Sequence, residues 1–455
     1  MERVDVAIVG GGPSGTAAAR EAARRGADTV VFEQGVPRAD REFLGPDSTD
    51  AAGMLDYWLD VMDENPAEWP DGVVLRVLDR AEFVGPTERV VLRDTGIDAS
   101  YPDFGFTFDR ARFDDYLRER AEQAGADYRV GTGVGSVETD LDGGPTHTLS
   151  LKDGTEVEAE FLVLADGPQR RVTIPTLDQF TSDGSTASSV LSPPRVNHIA
   201  YQEYRRFPEE LVEPTNIKFW WGWMPGETAY PWVFPNDGDV QRVGLTMPIG
   251  MDLPPAAERE EYRLLRSDDE RVPQGREYIQ RLLDALYGDE YDVDADFPLV
   301  EERGKTGGTE TYPISSTRPI ESPTRANVAV VGGAMGATSA FHEGGDHVAV
   351  RTGKIAGRLV GSGDLSEYNR AWQRAIGPEV LRNVSIADVV RDYRPADWDR
   401  AFRVARVLQD REGPLMGWSV GAGLVGLKLV LQYRWRKYGY RDAGYVQLRE
   451  SEYDL

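Results

Sequence analysis

The residues best placed to do chemistry lie at the start of the chain. Residues 10–15 (GGGPSG) set Gly10, Gly12 and Gly15 in a Gly-x-Gly-x-x-Gly turn, between an apolar run at 4–9 (VDVAIV) and an alanine-rich stretch of helical spacing at 16–25. Glycines at these positions allow a tight turn, close backbone approach to a pyrophosphate and close packing of helix on strand. The phosphates would sit at the N-terminus of a helix that carries Ser14 in its first turn, where free N–H groups and the dipole favour anions. A second short strand at 28–33 (DTVVFE) ends in Glu33, 18 residues after Gly15, placed to accept from a ribose hydroxyl. Strand, glycine turn, helix, strand and acid together make a βαβ dinucleotide-binding unit. The acid favours FAD or NAD over NADP, whose extra phosphate would meet a like charge.

A second group of residues suits an apolar ligand. In 225–235 (PGETAYPWVFP), Tyr230, Trp232 and Phe234 alternate along an expected strand that Pro235 closes. Alternation turns all three rings to one side and makes an aromatic wall, which fits a long polyene; a strand packed into the core is the plainer alternative. Phe219, Trp220, Trp221 and Trp223 just before it fit either reading. The four histidines are His147, His198, His342 and His347. The last two straddle a glycine turn with no carboxylate at metal-binding spacing, so no metal site is expected. Gly353-Lys354 does not belong to a P-loop, because Val348 stands where its first glycine should be.

These groups need a large scaffold, and 455 residues suffice for about three folding units. Cysteine is absent, which excludes disulfides, thiolate metal sites, iron–sulfur clusters and a cysteine nucleophile. The chain carries 77 acidic and 51 basic residues, net −26, which argues against a nucleic-acid partner. Only six of the basic residues are lysines: Lys152, Lys218, Lys305, Lys354, Lys428 and Lys437. An acidic, lysine-poor, cysteine-free globular composition suggests adaptation to high salt, with an ordinary acidic cytosolic protein as the alternative. The chain opens directly into a strand, so a cytoplasmic location is expected.

Residues 415–431 come closest to a membrane-length apolar run, with one charge at Lys428. Residues 432–441 (QYRWRKYGYR) then interleave four cations with four aromatic rings, a sharp local inversion of the overall charge. An apolar helix flanked in this way suits peripheral contact of 415–441 with an anionic membrane, and a helix packed on the catalytic body is the alternative.

The intervening segments give the supporting elements. Residues 50–64 read as helical, 73–93 as paired strands, 110–124 as an amphipathic helix with Phe113, Tyr116, Leu117 and Ala121 on one face, and 160–164 as a buried strand closed by Asp166-Gly167. Residues 176–320 change to short alternating runs with many aromatics and prolines, as for an antiparallel sheet. The buried-strand pattern returns at 327–331, before a glycine-rich stretch and a helix at 346–360; 365–455 reads as helices ending in a charged tail.

Taken together, these segments resemble the para-hydroxybenzoate-hydroxylase-like flavoproteins, and within them the geranylgeranyl reductase family. Arg110 is similar to the family's arginine near the FAD phosphates, Asp166-Gly167 to its internal Asp-Gly motif, 328–336 (VAVVGGAMG) with Gly332 and Gly333 to its third FAD segment, and Glu343-Gly344-Gly345 to its glycine-rich turn. The aromatic strand resembles its P-x-x-Y-x-W-x-F-P substrate motif with two residues inserted. The resemblance implies an α/β fold: a Rossmann-like FAD-binding domain from 1–72, 105–175 and 321–365, an antiparallel-sheet substrate domain from 73–104 and 176–320, and a C-terminal helical region, 366–455.

The implied activity is an FAD-dependent reductase that saturates geranylgeranyl chains of archaeal ether-lipid precursors. NAD(P)H, a ferredoxin or another small reductant would be the electron donor, and His342 a candidate proton donor beside a capping or phosphate-contacting role. A prenylated quinone tail is the alternative substrate. A flavin monooxygenase on the same fold and a prenyl-lipid carrier are the competing classes; a halogenase is disfavoured because no lysine precedes Lys152. Two departures stand out. Gly333 replaces the family's aspartate, and 43–48 (FLGPDS) holds no cysteine where the family often has one.

Overall fold

The computed structural model describes residues 1–36, 53–182, 186–409 and 420–455. The segment 43–48 and residues 415–419 therefore lie outside the described residues.

Strand Glu2–Val9 is buried almost throughout from Val6, as a parallel strand covered on both faces must be. It pairs in parallel with Thr29–Phe32 on one edge and Glu156–Leu164 on the other, with Val4 opposite Ala159 and Val9 opposite Leu164. Asp127–Arg129 extends the sheet beyond Thr29–Phe32. The far edge of Glu156–Leu164 is shared: its first half takes the hairpin of Val134–Asp140 and Thr146–Leu151, its second half takes Val328–Val330 in parallel. Three separated stretches of chain thus meet in one sheet.

Helix Pro13–Ala23 follows the glycine turn, and helix Asp346–Val360 lies against it. Their contact is backbone to backbone. A Cβ on Gly353 would fall 2.0 Å from the Ser14 carbonyl oxygen, and one on Gly357 would fall 2.2 Å from that of Ala18. Gly361 meets Ala22 next, so glycines every fourth residue face small residues every fourth residue, and the helices run parallel.

The second sheet orders its strands Thr309–Ile314, His198–Arg206, Val240–Pro248, Tyr230–Pro235, Asn216–Trp220, Arg80–Val84 and Arg89–Leu92. Its pairings are antiparallel except one, Asn216–Trp220 beside Arg80–Val84, because the chain leaves this domain between the two strands. The expected pairing within 73–93 holds for Arg80–Val84 with Arg89–Leu92, but Val74–Leu78 joins Gly105–Phe108 in a third small sheet with Gly53–Leu55. The strands of residues 73–104 are accordingly divided between the second sheet and the small third one. In place of one helix over 50–64, the described part forms strand Gly53–Leu55 and helix Asp56–Met62. Helix Arg110–Gln123 buries Phe113, Tyr116, Leu117 and Ala121, the expected face.

Helices Tyr368–Val390, Pro395–Gln409 and Val420–Gly439 complete the chain. The tail after them is not a free charged extension. Tyr445, Val446, Leu448 and Tyr453 return to the core of the first domain, and the Tyr453 hydroxyl donates to the Glu321 carbonyl oxygen at 2.9 Å.

Candidate active site

Gly10 adopts φ +103°, and a Cβ there would lie 2.4 Å from the Ala165 carbonyl oxygen, so only glycine fits the turn. Gly12 differs: its φ is an ordinary −71°, and a Cβ would meet no protein atom within 4 Å. Packing does not require glycine at this position, and the open space in front of a helix N-terminus without a side-chain cap is a cradle for an anion. Ser14, buried in the first turn, lies beside Gly332 and Gly353. Glu33 reaches the same turn, accepting from Gly11 N–H at 2.6 Å and Gly35 N–H at 2.5 Å.

The second glycine turn stands at the N-terminus of helix Asp346–Val360, capped by Gly345 without a side-chain acceptor. Because Gly353 packs on Ser14, this terminus projects six residues beyond the start of Pro13–Ala23, about 9 Å at 1.5 Å per residue. A ribityl chain would bridge such a gap. Two uncapped N-termini pointing the same way, an open Gly12 and an acid at the ribose position fit FAD.

Arg110 braces this arrangement by donating to Asp114 at 2.7 Å and lying 3.0 Å from Asp346, the first residue of the second helix. Burial pushes the Asp114 carboxyl up to about 6 although Arg110 opposes it. Asp166 caps the short helix Thr173–Asp178, accepting from the Val172 and Thr173 N–H groups and the Thr173 hydroxyl. Its carboxylate is thus committed within the protein. A Cβ on Gly333 would lie 3.2 Å from Pro168 Cδ, so the proline after Asp166-Gly167 takes up room an aspartate would need. Buried Arg170 ties that turn to the third segment by donating to the Ala334 carbonyl oxygen at 2.7 Å.

Tyr230, Trp232 and Phe234 do share one face, joined by Ile217, Phe219, Trp221 and Leu78. Trp220 and Trp223 point the opposite way, into the core under helix Gly275–Tyr287, which divides the aromatic cluster that sequence left open. Each wall ring is only 5% exposed, and Val390, Trp398 and Phe402 from the C-terminal helices pack over them. Pro235 is buried at the end of the strand. The Trp221 and Trp232 indole nitrogens are buried without a hydrogen-bond partner among the described residues.

The wall touches the second glycine turn directly: the Tyr230 hydroxyl donates to the His342 carbonyl oxygen at 2.9 Å. Glu343 crosses the same boundary, accepting from the Thr228 hydroxyl at 3.3 Å and from the Thr246 hydroxyl. The His342 ring belongs to another cluster. Its Nδ1 accepts from Gly344 N–H at 3.1 Å, its Nε2 lies 3.3 Å from Asn383 and 3.8 Å from Glu379, and it stacks on Trp58. His347 binds the same Glu379 oxygen at 2.7 Å and stacks on Trp58 at 4.1 Å. Burial would raise the Glu379 carboxyl, but the two histidines outweigh it and hold it below the ordinary range; burial keeps His342 below its usual value.

Sequence reasoning missed Glu379, because a carboxylate 32 residues from His347 on a separate helix has no spacing signature. It also missed Glu343 as a side chain, having read only the turn. Lys354, set aside as a P-loop lysine, is spent on Glu64 at 2.7 Å. Among the described residues no cluster could hold a metal ion.

Comparison with known proteins agrees with this geometry. The FAD dependent oxidoreductase family profile matches residues 5–165. A protein of Methanosphaera stadtmanae named digeranylgeranylglycerophospholipid reductase 3 is 23% identical over 88% of this chain and 90% of its own length. A Mycolicibacterium smegmatis protein named menaquinone reductase is 26% identical over 85% of this chain and 83% of its own. The solved structure of a geranylgeranyl bacteriochlorophyll reductase-like protein from Thermoplasma acidophilum, 21% identical, superposes with a TM-score of 0.67 over 97% of this chain and all of that one.

The glycine geometry separates cofactor binding from folding. Gly12→Ala should leave the melting temperature of the cofactor-free protein unchanged yet weaken FAD binding at least tenfold, whereas Gly10→Ala should lower both. Calorimetry and flavin titration on the two variants check this.

Proposed function

We propose that this chain, an FAD-dependent oxidoreductase, saturates carbon–carbon double bonds in geranylgeranyl chains of ether-lipid precursors. The observation that carries the reading is the direct contact of the aromatic wall with the second glycine turn, through Tyr230 and the His342 carbonyl. An alkene held on that wall lies beside the position that the turn and its helix N-terminus would give a flavin ring.

FAD, when bound, supplies the hydride. The chain's own residues do the rest. The N-terminus of Pro13–Ala23 would hold the pyrophosphate, and Glu33, already bonded to the Gly11 N–H, would accept from the ribose. The N-terminus of Asp346–Val360 favours the negative charge that a reduced ring accumulates near N1 and O2. Tyr230, Trp232 and Phe234 orient an apolar chain and exclude water. The names of the Methanosphaera and Thermoplasma proteins support a geranylgeranyl substrate.

A prenylated quinone is the second reading. The similarity to a protein named menaquinone reductase favours it, and the unpartnered Trp221 and Trp232 N–H groups suit ring oxygens better than a bare polyene.

The reading extends to where the enzyme works. No described helix is long and apolar enough to cross a membrane. Helix Val420–Gly439 nevertheless ends in an exposed patch, with Trp435 71% and Tyr438 61% exposed beside Arg434, Arg436 and Lys437. Such rings and cations fit the headgroup layer of an anionic membrane. The acidic, lysine-poor composition supports a salt-rich interior as the setting.

Three outcomes are expected. With the flavin reduced anaerobically by dithionite, geranylgeranyl lipid should reoxidise it and gain two mass units per bond; flavin that stays reduced until oxygen enters would point to a monooxygenase. Sedimentation with vesicles should show stronger binding to anionic than to neutral lipid, and replacing Arg434 and Lys437 by Gln should cost roughly 2 kcal/mol of that binding. Far-ultraviolet circular dichroism should show unfolding on dilution from molar salt, and a fold retained in dilute buffer would contradict the high-salt setting.

A further inference from the structure

Two residues with left-handed backbone meet at the boundary between the flavin turn and the aromatic wall. Glu343 has φ +58° and Thr228 φ +51°, and the Thr228 hydroxyl donates to the Glu343 carboxylate. A β-branched residue at positive φ is a genuine outlier, and strained backbone of this kind persists where its surroundings force it, often at functional sites.

The carboxylate so placed is 3% exposed. Its partners are the Thr228 and Thr246 hydroxyls and His198 Nε2 at 3.6 Å, with no arginine or lysine paired to it among the described residues. That histidine nitrogen is 3.0 Å from the Glu227 carbonyl oxygen and so carries a proton directed there. Thr246 stands opposite Tyr230 in the β-ladder and next to Ala200, a member of the wall cluster, so the acid docks on the wall face of the sheet. Burial raises its carboxyl above the ordinary value, with His198 and the two threonines opposing. Buried without a fixed cation, it favours the protonated form.

We propose that Glu343 is the acid that delivers the proton in alkene saturation, an assignment that rests on the prenyl-reductase reading. One alkene carbon takes a hydride from the reduced flavin. The π pair moves to the other carbon and takes the proton from the Glu343 O–H, so two C–H bonds form as the π bond and the O–H bond break. The alkene is reduced by two electrons, the flavin is oxidised by two, and Glu343 is left as a carboxylate that regains its proton from solvent. His342, the donor suggested by sequence, stacks on Trp58, and burial lowers its pKa against the pull of Glu379, which leaves less of the protonated form to act as the acid. The titratable groups facing Glu343 are His198, Tyr230 and Tyr312 on the sheet domain, with His342 next to it on its own turn.

Glu343→Gln keeps the shape and the threonine hydrogen bonds but removes the acid. It should bind FAD and melt as the wild type does, yet lose at least a hundredfold in anaerobic reoxidation by geranylgeranyl lipid. The wild-type rate should fall as pH rises through the acid's pKa, and the residual rate of the Gln variant should lack that limb. Glu343→Asp, which keeps an acid on a shorter stem, should retain the limb and part of the rate; a latch without a chemical role would leave Asp as impaired as Gln. Infrared spectra of the cofactor-free wild type provide a reading independent of turnover: a protonated-carboxyl band present at neutral pH, lost at alkaline pH and missing in the Gln variant. An ionised Glu343 at neutral pH, or wild-type turnover by Glu343→Gln, would overturn the proposal. Wild-type flavin left reduced by the lipid would instead overturn the functional reading, and the donor role with it.

Discussion

The packing of two helices against each other without intervening side chains fixes the rest of the site. Gly353, Gly357 and Gly361 of one helix lie on Ser14, Ala18 and Ala22 of the other, closely enough that a single methyl group would strike a carbonyl oxygen. A close-packed interior does not absorb such an overlap cheaply. This contact sets the axial offset between the two N-termini, and the offset sets where each end of a dinucleotide can sit. Arg110 then joins the start of Arg110–Gln123 to Asp346, so the same register is held from a third helix.

The aromatic face of the second sheet is tied to the first domain at the second glycine turn. Tyr230 bonds to the backbone of residue 342 and Thr228 and Thr246 bond to the side chain of residue 343, which places the aromatic face of the sheet against the N-terminus of Asp346–Val360. Behind that turn, Glu379 gathers His342 and His347 around Trp58. The turn is therefore fixed from both sides: by buried polar groups of the C-terminal helix and by the threonines and tyrosine of the substrate sheet. The proposed reduction of a prenyl chain needs such a boundary, since its two reactants would be held by different sheets and must meet.

What the sequence made legible follows from how local each signal is. The first βαβ unit, helix Arg110–Gln123 and helix Asp346–Val360 were readable because periodicity and glycine spacing are carried within a few turns. The aromatic face was readable for the same reason, strand alternation being a period of two. The division of residues 73–93 between two sheets was not, because Val74–Leu78 takes its one strand partner, Gly105–Phe108, from outside that window. Glu379, Arg170 and the carboxylate of Glu343 stayed hidden because their meaning depends on partners brought together only by the fold. Asp166 shows the converse: its motif was readable, while its hydrogen bonds to Val172 and Thr173 required the structure.

In the proposed reaction a prenyl chain and the flavin meet where the aromatic wall touches the second glycine turn. A crystal structure of the anaerobically reduced protein with a geranylgeranyl lipid tests it most directly. The account predicts the pyrophosphate at Gly12, the flavin ring at Gly344-Gly345, and a double bond lying between that ring and the Tyr230–Phe234 face within reach of Glu343. A lipid bound elsewhere, such as in the roughly 400 Å³ polar cleft lined by Arg20, Glu64 and Lys354, would contradict it.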